Sequence, residues 1–166
     1  MITDNLAPEL IVQEWIGSDQ DLSLQALRGK VVLVEAFQLL CPGCVSHAIP
    51  QIKKSRAYFE ESELAVLGIH TVFEHHQAMQ RETLLAFMHE YKINFPVAID
   101  KPGVGTPIPE TMNLYQMKGT PTTLLIDKQG QLRAHYFGVI EDIKLGAEIA
   151  RLIACLLYTS PSPRDS

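Results

Sequence analysis

Two cysteines three positions apart carry the most specific chemistry in this chain. Cys41-Pro42-Gly43-Cys44 follows Gln38-Leu39-Leu40 and, before them, the apolar run VVLVEAF at 31–37. That run is rich in β-branched residues and too short for a stable helix, so it predicts a buried strand. Pro42 suits the first turn of a helix, where a missing N–H costs nothing. The pair is therefore expected where a strand gives way to a helix. A thiol at Cys41 would face the free N–H groups of the first turn and the positive end of the helix dipole, both of which favour thiolate. One exposed, activated sulfur with a second close behind it is what thiol–disulfide exchange needs. The intervening Pro42-Gly43 tunes the potential of such a pair. The competing reading is half of a zinc site, but no second ligand pair of matching spacing occurs.

Glu35 is the one charged residue in the apolar run, on the side opposite Val34 and Ala36 by alternation. A buried carboxyl without a partner has its pKa raised by desolvation, and such a group can accept a proton from Cys44 directly or through water. A solvated position, or pairing with Lys53, is the plainer alternative. Thr120-Pro121 precedes another apolar run. A cis bond there would turn the backbone and leave Thr120 able to pair with an extended substrate segment. An ordinary trans proline opening a strand is the alternative.

At 166 residues the chain has the length of one domain, and 46% apolar against 20% charged residues is ordinary for a soluble globular protein. A net charge of −5 gives no reason to expect nucleic-acid binding. No apolar run is long enough to span a bilayer. Residues 1–10 lack the basic and apolar regions of a secretory leader, and three cysteines make no disulfide framework. A cytoplasmic location is expected, with the periplasm as the alternative if a leader precedes this start.

The elements that must position the thiols are legible as a pattern. Strands are predicted at 11–16, 31–37, 64–71, 95–99, 122–127 and 132–137. Helices are predicted at 42–60, kinked by Pro50, at 81–92 with Leu84, Leu85, Met88 and Tyr91 inward, and at 109–115. A last helix spans 141–157, with Ile143, Ala147, Ala150 and Ala154 along one side. Lys128-Gln129-Gly130-Gln131 reads as a hairpin turn. A βαβ portion followed by a hairpin predicts a mixed sheet with helices on both faces. Residues 1–30 are expected to pack as an extension on a domain at 31–157. Residues 158–166, YTSPSPRDS, are expected to be disordered and resemble translated sequencing adapter, which would put the genuine end near Cys155 or Leu156.

Taken together, VVLVEAF, CPGC, the strand–helix block at 64–100 ending FPVAID, and GTPTTLLIDKQGQLR resemble the thioredoxin superfamily. Within it they are most similar to the TlpA/ResA-type redoxins of the branch related to AhpC/TSA proteins, over roughly residues 10–157. The resemblance implies a thioredoxin-like three-layer α/β/α sandwich with the redoxin strand–helix insertion. It implies Cys41 as attacking thiol, Cys44 as resolving thiol, Glu35 as the buried acid below them, and Pro121 as a cis-proline. Leu40, Pro42, Gly43, Thr120 and Pro121 then form the substrate-binding surface. Protein disulfides or dithiols and an upstream thiol reductant are the implied partners of a monomer. The reactive disulfide is its only redox group, with no metal and no separate cofactor. Two departures stand out. Leu40 replaces the usual tryptophan before the first cysteine, and Pro50 comes six residues after Cys44 rather than five, so the helix face near His47 is expected to be rotated or to carry an extra residue.

Other candidates compete. His47, one turn past Cys44, either supports the thiolate or is a plain helix residue. Glu74, His75 and His76, with His70 nearby in the strand predicted at 64–71, lack the spacing of a metal site, and the loop at 72–80 that holds the first three is expected to be solvated. Cys155 is expected as a buried free thiol. A thiol peroxidase is the alternative enzyme, but Gln38 and Val34 stand where its activating loop needs Thr or Ser and Pro. A Cu(I) carrier using Cys41, Cys44 and His135 is the non-enzymatic alternative.

Overall fold

Every residue of Val31–Phe37 is buried, which a strand achieves only when both faces of its sheet are covered. In the computed structural model, which describes residues 5–155, this strand (β2) lies inside a six-stranded sheet. The others are β1 (Val12–Ile16), β3 (Leu64–His70), β4 (Val97–Asp100), β5 (Thr122–Ile126) and β6 (Leu132–Phe137), in the spatial order β1-β4-β3-β2-β5-β6. β2, β3 and β4 run parallel, while β1, β5 and β6 each run antiparallel to their neighbours. The mixed sheet is as expected. The N-terminal segment does more than pack against it, because β1 is one of its edge strands and Ala7 N–H donates to Gly130 O.

The helices are α1 (Ile49–Tyr58), α2 (Arg81–Glu90), α3 (Glu110–Leu114) and α4 (Asp142–Ala154). Alternation along β2 divides them. Val31, Leu33 and Phe37 pack with Cys44, with Ile49 and Ile52 of α1, with Leu84 of α2, and with Leu145, Ile149 and Leu152 of α4. Val32, Val34 and Ala36 pack with Leu24, Met112 of α3, Tyr115 and Met117 on the opposite face. The result is the three-layer sandwich that the resemblance implies.

The last helix turns differently from its predicted face, and α2 keeps its predicted face in part. In α4 the buried residues are Leu145, Ile149 and Leu152, while Ile143 is 87% exposed and Ala147, Ala150 and Ala154 face solvent. The stripe with the larger side chains wins because it removes more apolar area from water than the alanines can. In α2 the inward residues are Leu84, Phe87 and Met88; Tyr91 lies beyond the helix end, stacked on Phe87 with ring centroids 4.4 Å apart.

The predicted helix at 42–60 forms as one helical run over 42–58, but it is not α-helical throughout. A π-helical turn covers Cys44–Ala48, and α1 begins after it. Pro50 is the second residue after the π turn, inside the helical run, and a π turn is one of the irregularities by which a helix accommodates a residue that cannot donate an N–H. A π turn holds one more residue than an α turn, which absorbs the additional residue between Cys44 and Pro50.

His70 ends β3, within the strand predicted at 64–71. Its ring is buried and set against Phe37, centroids 5.4 Å apart, and Nε2 has no partner. Burial holds its pKa down from 6.5 to about 4, so the native ring is neutral. The unfolded chain binds the extra proton between those values, so His70 contributes stability that is lost as pH falls from about 6.5 to about 4. Denaturant unfolding at pH 7 and pH 5 should show wild type losing more stability on acidification than His70→Gln; equal losses would contradict the assignment. Close packing makes a second prediction at Gly68. A Cβ there would lie 2.9 Å from Phe95 Cε1 and 3.2 Å from both Phe37 Cε1 and Val97 Cγ2. Gly68→Ala should cost about 1–3 kcal/mol in unfolding free energy.

Candidate active site

The segment leaving β2 is tied down before it reaches the cysteines. Thr71 N–H donates to Phe37 O at 3.0 Å, Phe73 N–H to the buried Gln38 Oε1 at 3.1 Å, and Leu40 N–H to Met79 Sδ at 3.4 Å. Cys41 and Cys44 are joined as a disulfide, with Cα atoms 5.2 Å apart. Cys41 is partly exposed, whereas Cys44 is wholly buried among Leu33, Phe37 and the inward faces of α1 and α4. Cys44 N–H and Val45 N–H both donate to Cys41 O, and Cys44 N–H also lies 3.3 Å from Cys41 Sγ. Once the bond is reduced, a Cys41 thiolate has that N–H and the helix N-terminus to stabilise it. The two sulfurs thus differ in access in the way an attacking and a resolving thiol must.

A second loop meets the first. The Thr120–Pro121 peptide is cis, and Thr120 O lies 3.5 Å from Cys41 Sγ. Gly43 faces this loop, for a Cβ placed on it would lie 3.6 Å from Pro121 Cδ and 3.8 Å from Val139 Cγ2. Around Cys41 the surface is apolar and open, with Leu40 56% and Val139 60% exposed and Pro42 also exposed. The structure therefore brings Leu40, Cys41, Pro42, Gly43, Thr120 and Pro121 together.

The π turn has a positional consequence. It presents His47 Nε2 to Ile140 O at 2.8 Å, and Gln51 Nε2 donates to the same carbonyl at 2.7 Å and to Asp142 Oδ1 at 2.9 Å. These bonds tether the cysteine-bearing turn to the segment that carries Val139. His47 thus has a structural partner.

Glu35, six residues before Cys41, is fully buried in β2 on the face it shares with Leu33 and Phe37, the residues that pack with Cys44. Its Oε1 accepts from Thr123 Oγ1 at 2.7 Å, and its Oε2 has no partner. Desolvation raises its pKa from 4.5 to about 8, and the Thr123 bond opposes that rise. The alternative pairing with Lys53 does not form, since Lys53 Nζ donates to Tyr91 O. A carboxyl that titrates near 8 exchanges protons with a thiol at little free-energy cost around neutral pH.

The remaining candidates lie apart from this centre or in other roles. His75 has positive φ, and His76 Nε2–H donates to Pro107 O at 3.1 Å. Among the described residues, no group of three or more His, Cys, Asp or Glu side chains is arranged to hold a metal, so His135 on β6 does not complete a copper site with the two sulfurs. Cys155 is an exposed free thiol at the end of α4, not a buried one. It follows the helix face that turned outward. The tail at 158–166 lies outside the described residues. Among those described, no helix is long and apolar enough to cross a membrane.

Sequence reasoning missed Thr123, Met79, Gln38 and Gln51. Only the pairing register sets Thr123 opposite Glu35, and only tertiary contact sets Met79 behind Leu40. Gln38 carried a faint signal, as a polar residue directly after a buried strand.

Comparison with known proteins agrees with this geometry. Residues 3–135 match the AhpC/TSA family. A crystal structure of the thioredoxin-like superfamily protein SPOA0173 is 57% identical, covers 92% of this chain and 99% of its own, and superposes with a TM-score of 0.89. A thiol-disulfide isomerase from Corynebacterium glutamicum is 46% identical over 91% of this chain and 97% of its own, with a TM-score of 0.87. The thiol-disulfide oxidoreductase ResA of Halalkalibacterium halodurans is 26% identical over 126 residues, which is 75% of this chain and 64% of that relative's length. The chain thus spans somewhat under two thirds of that relative. Its fold, its cysteine pair and these similarities place it in the AhpC/TSA family, as a thioredoxin-superfamily redoxin of the TlpA/ResA type.

Proposed function

We propose that the chain is a thiol–disulfide oxidoreductase that exchanges the Cys41–Cys44 dithiol and disulfide with protein substrates. One observation carries the reading: a partly exposed sulfur at a helix mouth is bonded to a wholly buried one. In the reducing direction the Cys41 thiolate attacks one sulfur of a substrate disulfide. The substrate S–S bond breaks, a mixed disulfide forms at Cys41, and the departing substrate thiolate takes a proton from water. Cys44 then gives its proton to the Glu35 carboxylate and attacks Cys41 Sγ. The second substrate thiolate leaves, the Cys41–Cys44 bond closes, and two electrons have passed to the substrate. An upstream thiol reductant reopens the disulfide, with protonated Glu35 returning its proton to Cys44. The exposed Leu40 and Val139 favour an apolar partner segment, and the Thr120 backbone beside Cys41 suits an extended one.

Cys44→Ser removes the resolving sulfur and should leave substrates trapped on Cys41 as stable mixed disulfides in a native lysate, where Cys41→Ser captures none. No capture by Cys44→Ser while Cys41 still reacts with a thiol reagent would contradict the exchange mechanism. In single-turnover reduction of a small disulfide by wild type, release of the second thiol should speed up as pH rises toward about 8, where Glu35 loses its proton, and then level off.

A further inference from the structure

We propose that Thr123 is a positioning residue for the exchange reaction: its hydroxyl holds one carboxyl oxygen of Glu35 and leaves the other as the face that takes the proton from Cys44. This rests on the reading of Glu35 as proton acceptor. The sheet register creates the arrangement. Glu35 stands opposite Thr123 on β5 and beside Gly68 on β3. On one flank it meets a hydroxyl and on the other a residue with no side chain at all. Gly68 cannot acquire one without meeting Phe95, Phe37 and Val97. The bond of Thr123 Oγ1 to Oε1 at 2.7 Å is therefore the carboxyl's one polar anchor among the described residues, and Oε2 stays buried and unpaired. Thr122, its neighbour, is committed elsewhere, donating to Gly119 O at 2.7 Å.

Burial and the Thr123 bond are the influences resolved on Glu35, and no charged neighbour stands among them for the described residues. On the elements packed around Glu35, His47 bonds Ile140 O, Lys53 bonds Tyr91 O, and Lys54 pairs with Asp142. His70 on β3 is neutral, and on the far side of β5 Arg133 pairs with Asp127 and Tyr136 bonds Glu148. Cys41 and Cys44 are the reacting groups themselves. Proton affinity at Glu35 is thus set by burial, which raises it, and by the Thr123 bond, which lowers it. A hydroxyl that donates to a carboxylate favours the charged form, which is the form that must accept a proton. It also fixes the carboxyl rotor, so that the same oxygen stays bare.

The test compares wild type, Thr123→Val, Thr123→Ser and Glu35→Gln in single-turnover release of the second thiol across pH. The rate of mixed-disulfide formation, read in the Cys44→Ser background, is measured alongside. Thr123→Val should move the midpoint of the rising limb upward by about one pH unit, roughly a tenfold loss at a fixed pH on that limb. Its first step should be unchanged, and Thr123→Ser should behave as wild type. If Thr123→Val fails to fold, Thr123→Ala must show the same upward shift. A wild-type midpoint in the hydroxyl-free variant, with the limb abolished by Glu35→Gln, would overturn the role of Thr123 and leave Glu35 in place. An equal shift in Thr123→Ser would also overturn it, because the hydroxyl would then not be the cause. If Glu35→Gln keeps the limb, Glu35 is not the proton acceptor and the proposal falls with it.

Discussion

A carboxyl group sealed into an apolar sheet with a single hydrogen bond is costly, and this fold bears that cost at one position. Glu35 occupies the middle of the most buried strand, with one oxygen bonded to Thr123 and the other bare. A hydrophobic residue there would pack with less penalty. In the proposed mechanism the carboxyl supplies a proton site of raised affinity on the sheet face that also packs Cys44. Cover on both faces of the sheet is what makes it possible, because a half-solvated strand would let water restore an ordinary carboxylate.

The rest of the site is a matter of bringing two loops to the end of that strand. β2 runs into the cysteine segment, which Gln38, Met79 and the carbonyl of Phe37 hold in place. β5 begins just after the cis Thr120–Pro121 peptide, so the antiparallel pairing of β2 with β5 sets Thr120 next to Cys41 and Thr123 against Glu35. One strand pair therefore places both the surface that meets a partner and the hydroxyl that holds the acid. The π turn closes the third side, since its bonds from His47 and Gln51 to Ile140 O tie the cysteine-bearing turn to the segment carrying Val139.

Much of this was legible in the chain, for physical reasons that also mark where legibility stopped. Strands buried on both faces read as short apolar runs, so β2, β3 and β5 were plain. The Cys-Pro-Gly-Cys spacing, with its proline at a helix start, was equally plain. The alternation of Glu35 against Val34 and Ala36 named its face of the sheet correctly. The face of α4 was misjudged, and that of α2 was right at Leu84 and Met88 but missed Phe87, because both helices carry apolar residues on more than one side and only the shape of the core decides which stripe is covered. Cys155 was misplaced with the alanine face of α4. The extra residue before Pro50 announced a disturbance in the helix, and the π turn that absorbs it is joined to Ile140 O by bonds that have no local signature. His70 was legible as part of a buried strand, but the parallel pairing that sets it beside Phe37 has no local signature. Register between strands far apart in sequence has no local signature, and so Thr123 could not be found.

Site-resolved titration of the Glu35 side-chain carboxyl by carbon NMR, in the disulfide form of the wild-type protein, bears most directly on this account. A midpoint near 8 is the predicted result. A midpoint near the ordinary carboxylate value of 4.5 would mean that water or a cation reaches the group, and the proton relay between Glu35 and Cys44 would have no basis.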